Sequence, residues 1–175
     1  MPTGLIYNPG AVDGLNAYAG NVTIMAINGD TVALPMGTLV EVVTPFAGPS
    51  SPPYSGTPAP FLVKRSATTA DFMLLGVVTG VVPTTGPATQ TAASSNSVPV
   101  GGVAEITIDG LCQIIMDDTG GGVTVKDNIA QSTITAGEGA TSTSTATAGK
   151  TIGQVLQTVT IASGNALVWA YIHKT

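Results

Sequence analysis

The residues able to do chemistry are few and poorly placed for it. His173 is the single histidine and Cys112 the single cysteine. Any Ser-His-Asp, Cys-His or His-His constellation therefore depends on His173, and no Gly-x-Ser-x-Gly nucleophile elbow occurs. Cys112 sits in the apolar run Leu111 to Met116 and reads as a small buried hydrophobe; alone it excludes an internal disulfide and a cysteine-based metal site. Asp117-Asp118-Thr119-Gly120 has some of the composition of a calcium loop, but lacks both the alternating carboxylates and the closing glutamate that would complete an oxygen shell. Gly120-Gly121-Gly122 runs into Val123-Thr-Val-Lys, a strand pattern, so no helix N-terminus follows to bind a phosphate. Glu41 and Glu105 read as solitary strand carboxylates, and Asp109 and Asp127 as turn residues. These residues predict no catalytic centre, no cofactor and no metal. Asn21-Val22-Thr23 is a glycosylation sequon, relevant only in a secreted chain.

The elements that would position such residues are strands. Ala104, Ile106 and Ile108 alternate with Glu105, Thr107 and Asp109, the period of a strand with one face on a core. Asp109-Gly110 reads as a bend, and Leu111 to Met116 as a second short apolar run. Val22 to Ile27, Asn28-Gly29-Asp30 and Thr31 to Leu34 read as a hairpin. Gly37 to Val43, Phe61 to Lys64, Phe72 to Gly80, Asp127 to Thr133, Thr151 to Thr160 and Ala166 to His173 complete the strand series. In the last, Ala166, Val168, Ala170 and Ile172 alternate with Leu167, Trp169, Tyr171 and His173; both faces are largely apolar, which predicts cover on each side. No window carries a helical period. The expected fold is all-β, a small barrel or sandwich.

Composition sets the outer bounds. The chain has 175 residues, of which 9% are charged, against roughly 25% in an average soluble protein. Its longest apolar stretch, Phe72 to Val82, is broken by Gly76, Thr79 and Gly80 and falls short of the roughly 20 residues needed to span a bilayer as a helix. No membrane association or signal peptide is expected. So little charge predicts a surface covered in a multimer. A net charge of −5, with Lys64-Arg65 the only adjacent basic pair, argues against nucleic acid.

Three segments punctuate the chain. Residues 1–28 are repeatedly broken by proline and glycine, with Tyr7 and Tyr18 as isolated aromatics, and form an irregular N-terminal arm leading into a domain over 29–175. Residues 44–60 hold six of the twelve prolines and cannot pair in a central sheet. Residues 84–97 and 137–149 are rich in Thr, Ser, Ala or Gly and read as loops, the latter either a flexible linker or an ordered extended stretch.

The two halves echo each other weakly. Gly37-Thr-Leu-Val corresponds to Lys126-Asp-Asn-Ile, Leu74-Leu-Gly-Val-Val to Thr151-Ile-Gly-Gln-Val, and Gly102-Val-Ala-Glu-Ile to Asn165-Ala-Leu-Val-Trp. The order is the same in both halves, and the first copy carries the longer loops. Val98 to Ile129 then becomes the join, closing the first module with Val103 to Ile108 and opening the second with Val123 to Ile129.

Three places resemble the tailed-bacteriophage capsid decoration (cement) proteins of the lambda-type head decoration and wider phage cement family. Met36-Gly-Thr-Leu-Val, with Phe61-Leu-Val-Lys-Arg-Ser and Leu74-Leu-Gly-Val-Val, is similar to that fold's strand series. Gly101-Gly-Val-Ala-Glu-Ile-Thr-Ile-Asp-Gly with Val123-Thr-Val-Lys-Asp-Asn-Ile-Ala resembles an internal phrase of the family. Gly149-Lys-Thr-Ile-Gly-Gln-Val-Leu with Asn165-Ala-Leu-Val-Trp-Ala-Tyr-Ile resembles its closing pair. The resemblance spans roughly residues 22 to 173, and its motifs are short. It implies a β-tulip or barrel-like fold, a homotrimer on the capsid exterior in contact with the phage major capsid protein, and no enzymatic activity. It also implies an N-terminal arm that touches the capsid, for which Tyr7, Asn8, Tyr18 and Val22 are the candidates. Trp169 and Tyr171 are the candidate subunit contacts. The proline-rich loop and the Thr/Ser tract depart from the family pattern. The alternative reading is a virion-surface or tail-fibre module that binds a host glycan, with Trp169 and Tyr171 stacking on a sugar ring.

Overall fold

Period-2 alternation buries one face of each strand, and a strand with one buried face has to find partners on both edges or leave main-chain groups unpaired. Here the solution is closure. The computed structural model describes residues 21–43, 61–68, 74–82, 97–117, 121–142 and 151–173. These carry thirteen strands: β1 (Val22–Asn28), β2 (Leu34–Pro35), β3 (Leu39–Val42), β4 (Phe61–Arg65), β5 (Leu74–Val82), β6 (Ser97–Val98), β7 (Val103–Asp117), β8 (Gly122–Val123), β9 (Asn128–Gln131), β10 (Gly139–Ser142), β11 (Gly153–Val155), β12 (Val159–Thr160) and β13 (Asn165–Ile172).

β1 runs parallel to β4, β4 antiparallel to β3, β3 to β5, β5 to β7, and β7 back to β1, which closes a five-stranded barrel. A second ring has the same plan. β7 runs parallel to β10, meeting it at Met116 and Gly139, and β10, β9, β11 and β13 follow antiparallel until β13 returns to β7. Each ring has one short two-stranded ladder beside it, β2 with β6 and β8 with β12. The chain is thus two copies of one seven-strand module, with β7 serving as the last strand of the first copy and the first strand of the second.

The shared strand explains a difference from the sequence reading. Asp109-Gly110 does not separate two strands; β7 is continuous over 15 residues, long for a globular protein. The second module therefore opens within β7 and not at Val123. Gly110 sits at the seam with φ 120°, where a Cβ would lie 2.1 Å from the Asn21 Oδ1. Asn21 pins that seam: its Oδ1 accepts from the Leu111 N–H at 2.7 Å and its Nδ2 donates to the Leu111 carbonyl at 3.0 Å.

The repeat falls on equivalent strands, β3 with β9 and β5 with β11, and its turns agree bond for bond. Gly37 N donates to Val78 O and Lys126 N to Val155 O, both at 2.8 Å. Val78 N returns to Thr38 O and Val155 N to Asp127 O, both at 2.9 Å. The third correspondence needs correction by one residue. Val78 faces Ile106 and Val155 faces Ala170, so Ile106 matches Ala170, and Ala104 matches Val168. A one-residue slip in a strand exchanges its faces, and only the corrected register puts buried residues on buried residues.

The expected hairpin over residues 22–34 does not form. Both edges of β1 are taken by β4 and β7, and β2 pairs with β6. The Asn28 side chain, buried to 1%, supplies the turn instead. It accepts from Asp30 N at 2.9 Å and donates to the carbonyls of Val32 and Val98, each at 3.0 Å. Within the tract read as a loop over 137–149, Gly139–Ser142 is strand β10; threonine's β preference wins there. Loop 44–60 and residues 84–96 lie outside the described residues.

Two cores follow from the two rings. The first holds Ala26, Leu34, Val40, Val63, Val78, Val98, Ala104 and Ile106. The second is built on Ile114, Met116, Ile129, Val155, Val168 and Ile172, and also takes in Leu39, Leu74 and Val77 from β3 and β5. Their counterparts in the second copy are Asn128, Thr151 and Gln154, with Gln154 Nε2 donating to Asn128 Oδ1 at 3.3 Å. The face that welds the barrels together is apolar in the first module and polar in the second, where nothing among the described residues covers it.

Candidate functional site

The residues suspected of chemistry are dispersed. His173 directly follows β13, its N–H bound to the Ile152 carbonyl at 2.8 Å and its ring 5.9 Å from that of Tyr171. Cys112 lies 3% exposed inside the second barrel, and burial pushes its thiol up to about 12, far from a working nucleophile. Asp117 is buried and accepts from the Ser132 hydroxyl. Glu41, expected to stand alone, is 1% exposed and paired: Lys64 Nζ lies 3.0 Å from its Oε1, and Ala67 N–H donates to its Oε2 at 2.9 Å. Asp127 is the turn residue expected, accepting from Thr124 N at 2.7 Å. Asp109 is not; it lies within β7 and accepts from the Tyr171 hydroxyl at 3.2 Å, an interaction that raises the Tyr171 pKa. Among the described residues no three His, Cys, Asp or Glu gather where a metal could bind.

Of the interaction candidates, Tyr7, Asn8 and Tyr18 lie outside the described residues. Val22 opens β1 and is 48% exposed, with Met25 nearby on the same strand at 59%. Trp169 and Tyr171 belong to the outer face of β13. That face was expected to be covered, yet Leu167, Trp169 and Tyr171 are 48%, 49% and 38% exposed, while Val168, Ala170 and Ile172 fill the core. Among the described residues nothing packs over β13, and its second apolar face is left open by them.

That open face forms one wall of a groove of about 360 Å³ between the barrels. Leu111, Leu167 and Trp169 supply the apolar wall; Thr23, Thr79, Glu105, Thr107 and Gln113 supply the polar one. A β-bulge builds the polar wall. Val78 pairs with Ile106 and Gly80 with Glu105, so Thr79 is the extra residue and its hydroxyl is turned to meet that of Thr107 at 2.9 Å. Gly80 leaves room for Glu105; a Cβ there would lie 2.7 Å from Oε2. Among the described residues no Lys, Arg or His lines the groove.

Sequence reasoning singled out Trp169 and Glu105 separately but missed Thr23, Thr79, Thr107 and Gln113, which lie far apart along the chain. The Gly76-x-x-x-Gly80 spacing inside an apolar strand is the one local sign of a bulge there.

No family model matches the chain, and no curated protein matches it. Among solved structures, similarity is found to a chain of the capsid of Myoviridae phage XM1, with a TM-score of 0.49, 10% identity, and coverage of 89% of this chain and 86% of that one. The base of the head fibre gp8.5 of bacteriophage phi29 is similar over 86% of this chain and 94% of that one, with a TM-score of 0.41 and 12% identity.

Proposed function

We propose that this protein is a structural component of a phage virion that binds the outside of the capsid and stabilises the shell by bridging major capsid protein subunits, as a homotrimer. The reading rests on the sequence resemblance, and one structural observation carries it. The arm we propose leads into β1, a barrel strand over Val22–Asn28 whose Val22 and Met25 keep about half or more of their surface in water. Val22 and Met25 would extend a contact made by an arm carrying Tyr7, Asn8 and Tyr18. Main-chain pairing of such an arm with a capsid sheet edge would add affinity without specific side chains. Of the two candidate subunit contacts, Trp169 and Tyr171, Trp169 lines the groove, and Tyr171 is the one we propose to lie between copies in the trimer.

The mechanism is linkage. A ligand that binds the assembled shell and not its separated subunits stabilises assembly by mass action. Capsids of the parent particle, stripped of this protein and then reloaded, are expected to melt at a higher temperature than the stripped ones. Equal melting temperatures at full occupancy would remove the stabilising role. Loss of binding on deleting residues 1–20, with the barrels still folded, is the expected result for the arm. Light scattering on the free protein reads the trimer directly.

A further inference from the structure

We propose that the groove between the two barrels is a binding site for a neutral carbohydrate, with Trp169 as the stacking platform and Glu105, Thr79 and Thr107 as the partners of its hydroxyls. This inference goes beyond the virion reading and stands on the groove alone.

The repeat supplies the argument. Register equates Glu105 with Trp169 and Thr107 with Tyr171 across the two modules, as it equates Thr23 with Leu111. Two pairs that line the groove, Glu105 with Trp169 and Thr23 with Leu111, are therefore the same positions of one fold, polar in the first copy and apolar or aromatic in the second. The barrel does not require either set, because each copy closes with the opposite one. What the difference creates is a cleft with an aromatic plane on one side and hydrogen-bonding groups on the other.

The chemistry of the walls narrows the ligand. A sugar offers a C–H face that stacks on an indole and a rim of hydroxyls that bond to carboxylates and hydroxyls. Trp169 is 49% exposed. The Glu105 carboxylate takes part in no hydrogen bond or ion pair among the described residues, so both oxygens are open to a pair of neighbouring hydroxyls. The Thr79–Thr107 bond uses one proton and leaves the other for a ligand. A wholly apolar ligand would strand these groups without partners. With Glu105 present and no Lys, Arg or His among the described lining residues, an anionic ligand is disfavoured as well. The volume of about 360 Å³ lies at the lower end of the roughly 300–1,000 Å³ of small-molecule sites, which suits a small saccharide.

Trp169 is the only tryptophan, so the intact protein reports on its own site. Its emission is titrated with glucose, galactose, mannose, N-acetylglucosamine and their short oligomers, and the full chain is screened on an array of neutral glycans. Sialic acid and choline serve as charged comparators. The expected result is a saturable change with at least one neutral saccharide, weakened at least tenfold by Glu105→Gln and by Thr107→Val, and lost in Trp169→Ala as read on the array. Circular dichroism checks each fold; should Trp169→Ala fail to fold, the other two variants decide alone. The proposal is overturned if no neutral glycan binds, if Glu105→Gln and Thr107→Val bind unchanged, or if only choline or sialic acid binds. It is equally overturned if Trp169 in the native oligomer is shielded from iodide, since a second copy would then occupy the wall.

Discussion

Gly37 and Lys126 occupy the same corner of the same turn in two copies of one barrel, at φ 87° and 78°. Lys126 is the sole non-glycine residue with positive φ among the described residues, and it bears the strain its counterpart avoids. Replacing Lys126 with glycine is expected to stabilise the protein by about 1 kcal/mol, a rise of about 2–4 °C in Tm. The reciprocal change is not neutral. A Cβ on Gly37 would lie 2.5 Å from Leu167 Cδ2 and 3.2 Å from the Ile115 nitrogen, so Gly37→Ala should lower Tm. Calorimetry on the two variants measures both.

Gly76 and Gly153 form a second matched pair. A Cβ on the first would lie 2.2 Å from the Thr107 carbonyl oxygen, and one on the second 2.2 Å from that of Tyr171. Backbone cannot yield as a side-chain tip does, so each alanine variant is expected to lose about 1–3 kcal/mol or more. Urea denaturation tests this, and a loss at one site without the other would break the equivalence of the modules.

Asp30 sets an acid limit on stability. Burial on its own would raise the Asp30 pKa; the Arg65 side chain at 2.9 Å and the Arg65 and Thr31 N–H groups outweigh it and hold the carboxyl at about 2, below its ordinary 3.8. A pKa depressed by folding contributes stability that is full above the unfolded value and lost as pH falls through the folded one. The loss therefore falls between about pH 4 and about pH 2. Arg65 is 37% exposed, and solvent screening reduces the contribution to about 1 kcal/mol. Asp30→Asn should flatten this part of the stability–pH curve, and urea midpoints across that range would show it.

Cys112 offers a test of core integrity. With its thiol buried and its pKa pushed up to about 12, it should resist Ellman's reagent in the native protein and react fully in guanidinium. Rapid labelling of the native state at neutral pH would contradict the packing of the second barrel.

Much of the strand inventory is legible in the sequence, because alternation is a local property. Val103 to Ile108, Phe61 to Lys64 and Ala166 to Ile172 each carry their period in a few residues. Even the duplication can be read from Gly37/Lys126 and Gly76/Gly153, since a tight turn and a close backbone approach restrict residue choice wherever they recur. Pairing is not local. That β1 joins β4 and β7, not the residues after Asn28, depends on which edges the rest of the barrel leaves open. The same holds for the third repeat segment: with both faces of β13 apolar, alternation cannot tell Asn165 from its neighbour as the match to Gly102, and only the ladder to Val78 and Val155 decides.

The groove belongs wholly to tertiary structure. Glu105 and Trp169 were each visible as single residues, but sequence alternation shows that a strand has two faces and not whether a neighbour lies over the second. In β13 none does among the described residues, and the aromatic plane stands open. The sequence by itself determined an all-β, duplicated chain with its turns in place. The sharing of β7 between two closed rings decided which outward faces meet, because closure through distant strands is what sets one barrel against the other.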